Sequence, residues 1–286
     1  MKYITKTLIT TFVVVGISGC GGSGSDKIIM KPEKPPAPVT PPTNEHQEMI
    51  TIPATTFRMG CNQDDGDICL PGMTPHIVSL DSYSIDKYMV TYERYQACIE
   101  SGQCTKPFEG AACNYGMEWA DKHPVNCITF QQAEEVCSFE NKRLPTEAEW
   151  ALAARGPNSL VFPWGNETAP SCDVAVLNQK RDGKMGPGCG AGTTMEVGSK
   201  PDGQSPFGLM DVTGNLWEWT SDWYSETYFG ESPEANPQGP ATGTHKVLRG
   251  SSWTSRRYDE LALTIRFAYA PKGQGYVIGA RCAADL

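Results

Sequence analysis

Residues 208–224, GLMDVTGNLWEWTSDWY, place three tryptophans and three acids around a Thr-Gly-Asn turn, and few folds can bury that combination. Trp217, Trp219 and Trp223 are large apolar bodies whose indole N–H groups need acceptors once inside. Asp211, Glu218 and Asp222 need cations or hydrogen-bond donors if they are buried beside them. A bound cation or a built polar network reconciles the two demands. The rest of the chain therefore has to supply positive charge to this segment.

At 286 residues the length allows one large domain or two small ones. The formal charge of -9 argues against nucleic acid as a partner. With 29 glycines, 22 prolines and 7 tryptophans, the composition suits a loop-rich fold built around aromatic clusters. Residues 1–19 read as a signal peptide, with Lys2 and Lys6 ahead of an apolar run from Leu8 to Ile17. That run is too short to span a bilayer. Ile17-Ser18-Gly19-Cys20 resembles a bacterial lipobox, which makes Cys20 the expected lipidation site and the membrane a partner through the lipid anchor. Gly21 follows it, with no retention aspartate, so the expected location is the cell envelope at the outer membrane. Residues 20–48 are rich in Gly and Ser, then in Pro, and form a semi-rigid spacer ahead of the domain at 49–286.

Ten further cysteines follow, an even number in a chain read as exported, which points to disulfides. Spacing does not fix their connectivity. Short loops suggest Cys61–Cys69, Cys98–Cys104, Cys113–Cys127 and Cys172–Cys189, which leaves Cys137 and Cys282. Zinc is a poor alternative, because no CxxC pair occurs and His46, His76, His123 and His245 are scattered. Asp64, Asp65 and Asp67 hint at calcium, but the EF-hand spacing is missing and a solvated acidic loop is the simpler reading.

Met49–Met59 alternates as a first strand, and 76–80 and 83–87 read as two more. Helices are expected after the caps Thr91 and Thr129, over 92–100 and 130–140, and over Leu144–Ala154. Residues 156–203 are Gly- and Pro-rich and should be mostly loop.

Six further motifs accompany the opening segment in a fixed order: Met59-Gly60, HPVNCITF at 123–130, KRLPTEAEW at 142–150, FPWGN at 162–166, VLRGSSW at 247–253 and GARCAA at 279–284. Together they resemble the formylglycine-generating enzyme family, also called the sulfatase-modifying factor domain. The resemblance implies an α+β, C-type-lectin-like fold with little regular secondary structure, formed as one domain. It also implies a disulfide between Cys137 and Cys282, and a scaffold role for Arg143 and Glu149 within the KRLPTEAEW motif. Enzymes of this family oxidise a substrate cysteine with molecular oxygen at a copper ion held by two thiolates. Counting from Gly250, those positions carry Ser255 and Glu260, and no cysteine occurs between Cys189 and Cys282. Copper is therefore not expected, since a soft cuprous ion needs thiolates.

The family's calcium site carries over more completely. It implies side-chain ligation by Asp211 and Glu218 with the backbone carbonyls of Gly214 and Leu216, an all-oxygen set that suits a structural calcium ion. Iron of the ergothioneine-synthase type is not expected, because the helical domain that carries its histidines is missing.

Two readings of function follow. The first is a tethered, non-catalytic module that binds a protein, peptide or glycan. The second is an exported oxidoreductase or maturation enzyme, resembling one of pyoverdine maturation, with Ser255, Arg256, Arg257 and Glu260 lining the old pocket. The missing thiolate pair favours the first. Bound redox metal with turnover would distinguish the second.

Overall fold

Pro53 divides the segment that alternates from Met49 to Met59, because it has no N–H to give to a ladder. Two strands result where the sequence reading has one: β1 (Met49–Ile52) and β2 (Thr55–Met59). They enter different sheets, β1 pairing with β4 (Tyr83–Asp86) and β2 with β3 (His76–Leu80), both antiparallel. This computed structural model describes residues 45–286 apart from 62–68, 167–168 and 180–185. The signal peptide, Cys20, most of the spacer and the acidic loop with Asp64, Asp65 and Asp67 lie outside the described residues.

The three helices begin at side-chain caps. Thr91 accepts the Arg94 N–H ahead of α1 (Tyr92–Glu100), and Thr129 and Gln132 form a reciprocal capping box at α2 (Phe130–Phe139). A third cap, Thr146 with Glu149, opens α3 (Glu147–Arg155). The sequence reading starts α3 three residues earlier, at Leu144. Pro145 explains the difference, since the residue before a proline is held out of the helical region. Every residue of α3 is buried, and it packs against β2, β3, β5 and β6 as the central helix. Its small face of Ala148, Ala151, Ala153 and Ala154 lets those strands approach closely.

The segment that opens the sequence argument becomes β5 (Trp217–Trp223). It lies inside a four-stranded sheet of order β7-β6-β5-β8, antiparallel to β6 (Lys246–Arg249) and parallel to β8 (Ile278–Gly279). β7 (Phe267–Tyr269) is the outer neighbour of β6, and the four-residue α4 (Tyr258–Leu261) lies in the connection between those strands. β9 (Ala283–Asp285) returns to β4, so the N- and C-terminal ends of the domain share the sheet β1-β4-β9. Between α3 and β5 only short 3-10 turns interrupt the loop among the described residues, as its Gly and Pro content predicts.

All five disulfides join the expected partners: Cys61–Cys69, Cys98–Cys104, Cys113–Cys127, Cys172–Cys189 and Cys137–Cys282. Four close short loops. The fifth spans 145 residues and ties α2 to the residue before β9, inside the second core around Tyr95, Val136, Leu144 and Trp219. A bridge of that span restricts the unfolded chain most. Replacing Cys137 and Cys282 together by serine is expected to lower stability by about 4–5 kcal/mol, read as a fall in the urea midpoint.

Candidate functional site

The period of two in β5 sends its acids one way and its tryptophans the other. Glu218 and Asp222 face α3, where Trp150 Nε1 donates to Glu218 Oε2 at 2.9 Å and the Glu147 N–H donates to Asp222 Oδ2 at 2.8 Å. Trp219 faces α2 and β7, edge-on to Phe130 at 5.8 Å and to Tyr269 at 5.9 Å. The demands posed by the sequence are thus met on separate faces of one strand.

The positive charge comes from three buried arginines. Arg281 grips Glu218 through Nε to Oε2 (2.6 Å) and Nη2 to Oε1 (2.7 Å), and its remaining N–H groups reach the carbonyls of Asp86, Lys87 and Met210. Arg266 holds Glu147 from Nε at 2.6 Å and Nη2 at 2.7 Å, and Arg249 reaches the same carboxylate at 3.2 Å. Asp222 shares this layer without a direct cation. Burial first, and then the nearby Glu147 carboxylate, push its pKa up to about 7.

Asp211 sits where the chain turns into β5, with φ of 58°, and accepts the Gly198 N–H at 2.7 Å. Burial first, with a later contribution from Glu218, raises its pKa to about 6. Gly214 has φ of 84° in the turn between them, and a Cβ there would meet the Val176 carbonyl at 2.4 Å, so no other residue fits. The Asn215 amide closes the turn on the Met195 backbone with both of its groups. One oxygen of Glu218 carries two donors and the other carries one, and the nearby Thr213 hydroxyl is buried without a partner. Asp211, Gly214, Leu216 and Glu218, the residues expected to hold calcium, follow one another through this turn into β5, with both Glu218 oxygens taking N–H groups of Arg281.

Of the four residues expected to line the pocket, Arg256, Arg257 and Glu260 meet at the start of α4, and Ser255 lies in the turn before them. Ser255 is buried in a turn, where its Oγ accepts the Ser252 N–H at 3.3 Å and its carbonyl accepts the Asn178 N–H. Glu260 folds back onto the backbone N–H groups of Arg256 and Arg257, at 3.3 and 3.4 Å, and so caps α4. Arg257 is exposed and paired with Asp259 and Glu260, while the exposed Arg256 side chain has no partner among the described residues. All ten cysteines of the domain are in disulfides, and a hydroxyl within a turn and a carboxylate on a helix cap do not fit a cuprous ion. Arg143 and Glu149 form a bidentate pair at 2.7 Å that supports the α3 cap, which is a scaffold role.

Pairs of aromatic rings form a rim to which this loop contributes Tyr258 and Trp253. Tyr258 packs edge-on to Phe162 at 4.9 Å, and Phe162 stacks on Trp164 at 5.4 Å. Trp217 meets Phe267 at 5.8 Å, and Trp253 meets Tyr276 at 5.9 Å. Tyr258, Phe267 and Tyr276 remain 47%, 51% and 48% exposed. Odd-numbered aromatics in β5 and β7 are the signal from which part of this rim follows.

A disulfide-stapled α+β domain with a buried Arg-Glu-Trp layer and an aromatic rim is the class these features define. The chain belongs to the sulfatase-modifying factor family: residues 34–286 match the family described as a sulfatase-modifying factor enzyme 1-like domain. The match reaches back into the Pro-rich stretch. Formylglycine-generating enzyme of Streptomyces coelicolor is 29% identical, with 87% of this chain and 93% of that protein covered. Inactive C-alpha-formylglycine-generating enzyme 2 of Bos taurus is 31% identical over 56% of this chain and 50% of its own length. Among solved structures, PvdO from Pseudomonas aeruginosa shares the fold with a TM-score of 0.69 at 22% identity, covering 83% of this chain and 94% of that one.

Asp222 allows a test of the buried layer. Its folded pKa lies above the ordinary carboxylate value, so the folded chain holds a proton that the unfolded chain has released between about pH 4 and pH 7. Its contribution to stability therefore falls as pH rises through that window and levels off above it. Asp222→Asn is expected to gain on the natural chain progressively from about pH 4 to pH 7, by at most about 1.4 kcal/mol per pH unit, in urea unfolding at a series of pH values.

Proposed function

We propose that this chain is an exported, membrane-tethered member of the family that recognises a ligand through its aromatic rim and does not generate formylglycine. The observation that carries the reading is the pairing of all ten domain cysteines in disulfides, which leaves no thiolate for copper or for thiol exchange. Ser255 and Glu260, at the expected copper positions, are already engaged by the backbone. A relative named as inactive supports the reading that members of the family persist without the activity. Tyr258, Phe267 and Tyr276 supply the kind of exposed aromatic surface that binding sites use. The residues at 1–20 support export and lipid anchoring.

The test is direct. The full-length chain, loaded with copper and incubated aerobically with a cysteine-containing peptide, is expected to yield no aldehyde by mass spectrometry. An aldehyde-bearing peptide would overturn the reading, as would stoichiometric iron or copper in the purified protein together with oxygen consumption.

Calcium is the cation proposed for the Asp211 corner, in a structural role. It would offset the charge that Asp211 and Glu218 carry in excess over Arg281, sharing with Arg281 the Glu218 oxygen that takes a single donor. Calcium at a hundredfold excess over its Kd is expected to stabilise the domain by about 2–3 kcal/mol, read as a higher thermal midpoint. Asp211→Asn should remove that increment.

A further inference from the structure

Residues 191–199 and His123 line a cleft of about 370 Å³ that shares no residue with the aromatic rim. Clefts that take small molecules run from about 300 to 1,000 Å³, so this one has room for a ring-sized ligand and not for a folded segment. Its walls are held in place from behind. The Thr194 hydroxyl accepts an N–H of the Asn114 amide at 2.9 Å and lies 2.9 Å from His123 Nδ1, which leaves Nε2 for a ligand. Met195 is gripped by both groups of the Asn215 amide, and the Val197 N–H donates to the Lys122 carbonyl at 3.0 Å. A cleft fixed in this way loses little freedom when it is filled.

Several of its polar groups are unspent. The Glu196 carboxylate is exposed and has no ion pair among the described residues. Ser199 also lines the cleft, and its Oγ is withdrawn from water with no hydrogen-bond partner among the described residues. A ligand hydroxyl that reaches it supplies what the fold does not. No lysine or arginine is among the lining residues. Burial lowers the His123 pKa below the ordinary histidine value, against the pull of Glu196, so the imidazole is uncharged at neutral pH.

These groups select among ligands. An anion would meet a carboxylate and no cation. An ammonium group would find one solvent-exposed carboxylate, a contact worth little. A sugar ring donates and accepts through neighbouring hydroxyls, which matches a carboxylate, an imidazole nitrogen and a hydroxyl, and its C–H face suits the apolar surface of Ala191 and Met195. Beside the cleft, Trp119 packs edge-on to His123 at 4.8 Å and stays 51% exposed, which offers an indole to the same ring.

We infer that this cleft binds an uncharged sugar ring, the end unit of a glycan, with its hydroxyls on Glu196, His123 Nε2 and Ser199 and one face toward Trp119. It is a second site, and it stands independently of the rim.

The probes are the methyl glycosides of glucose, galactose, mannose and N-acetylglucosamine. Each is titrated against the full-length chain in a detergent without a sugar headgroup and followed by saturation-transfer NMR. Saturable transfer to at least one glycoside is expected, strongest at the C–H protons of one ring face. Glu196→Ala is expected to weaken binding about tenfold and Trp119→Ala about fivefold. Both residues are exposed, and an unchanged thermal midpoint shows that the fold is intact. Transfer to none of the glycosides overturns the proposal, as does binding that either variant leaves unchanged. Tighter binding of benzylamine or of glucose 6-phosphate than of any glycoside overturns it too, by showing a cleft that selects charge.

Discussion

The bidentate contact between Arg281 and Glu218 is the constraint on which the domain depends. Both side chains are fully buried, so each needs the other, and each is also satisfied by groups from elsewhere: Trp150 from the central helix, and the carbonyls of Asp86, Lys87 and Met210 from loops. A buried pair of this kind adds little net stability over an apolar pair of the same volume. What it adds is position. Five segments, at 86–87, 150, 210, 218 and 281, must converge before the two charges are satisfied, and misregistered alternatives leave a charge stranded. Arg249 and Arg266 on Glu147, and Arg94 with Lys142 on Asp86 and Glu140, repeat the arrangement across the domain.

From this layer outward, β5 works as a divider. Its inward face carries the polar groups that fix α3, and its outward face carries tryptophans that run from the core at Trp219 to the surface at Trp217. The rim is thus the outer end of a rigid aromatic array. Side chains held in this way lose little freedom when a ligand lands on them, which favours binding over rearrangement. In the loop after Gly250, Ser255 closes a turn and Glu260 caps a helix.

Much of this is legible in the chain, and the reasons are local. Thr91, Thr129 and Thr146 announce helix starts because a capping hydroxyl acts within three residues. The short disulfide loops are legible for the same reason of proximity. Motif order reveals the fold, and the pattern WEWTSDW holds the division of β5 into two faces. Less visible is which cation meets which acid. Glu218 reads as a calcium ligand, and nothing in the local sequence marks its pairing with Arg281, 63 residues away. The contacts of Ser255, Arg256, Arg257 and Glu260 depend on the turn geometry of 252–260, which spacing alone does not encode. The strand break at Pro53 and the late start of α3 after Pro145 were open to prediction from backbone chemistry.

The buried guanidinium groups mostly bind main-chain oxygens: Gly60, Ser159 and Leu160 for Arg155, Leu263 and Thr264 for Arg249, Ser225 for Arg266. A carbonyl is the same in every amino acid. Loops anchored in this fashion are held by their path and not by their spelling, so substitutions can accumulate along them while the anchor points stay put. That tolerance accounts for a fold kept intact at 29% identity, and it leaves the outer surface free to be rewritten for new partners without disturbing what holds it up.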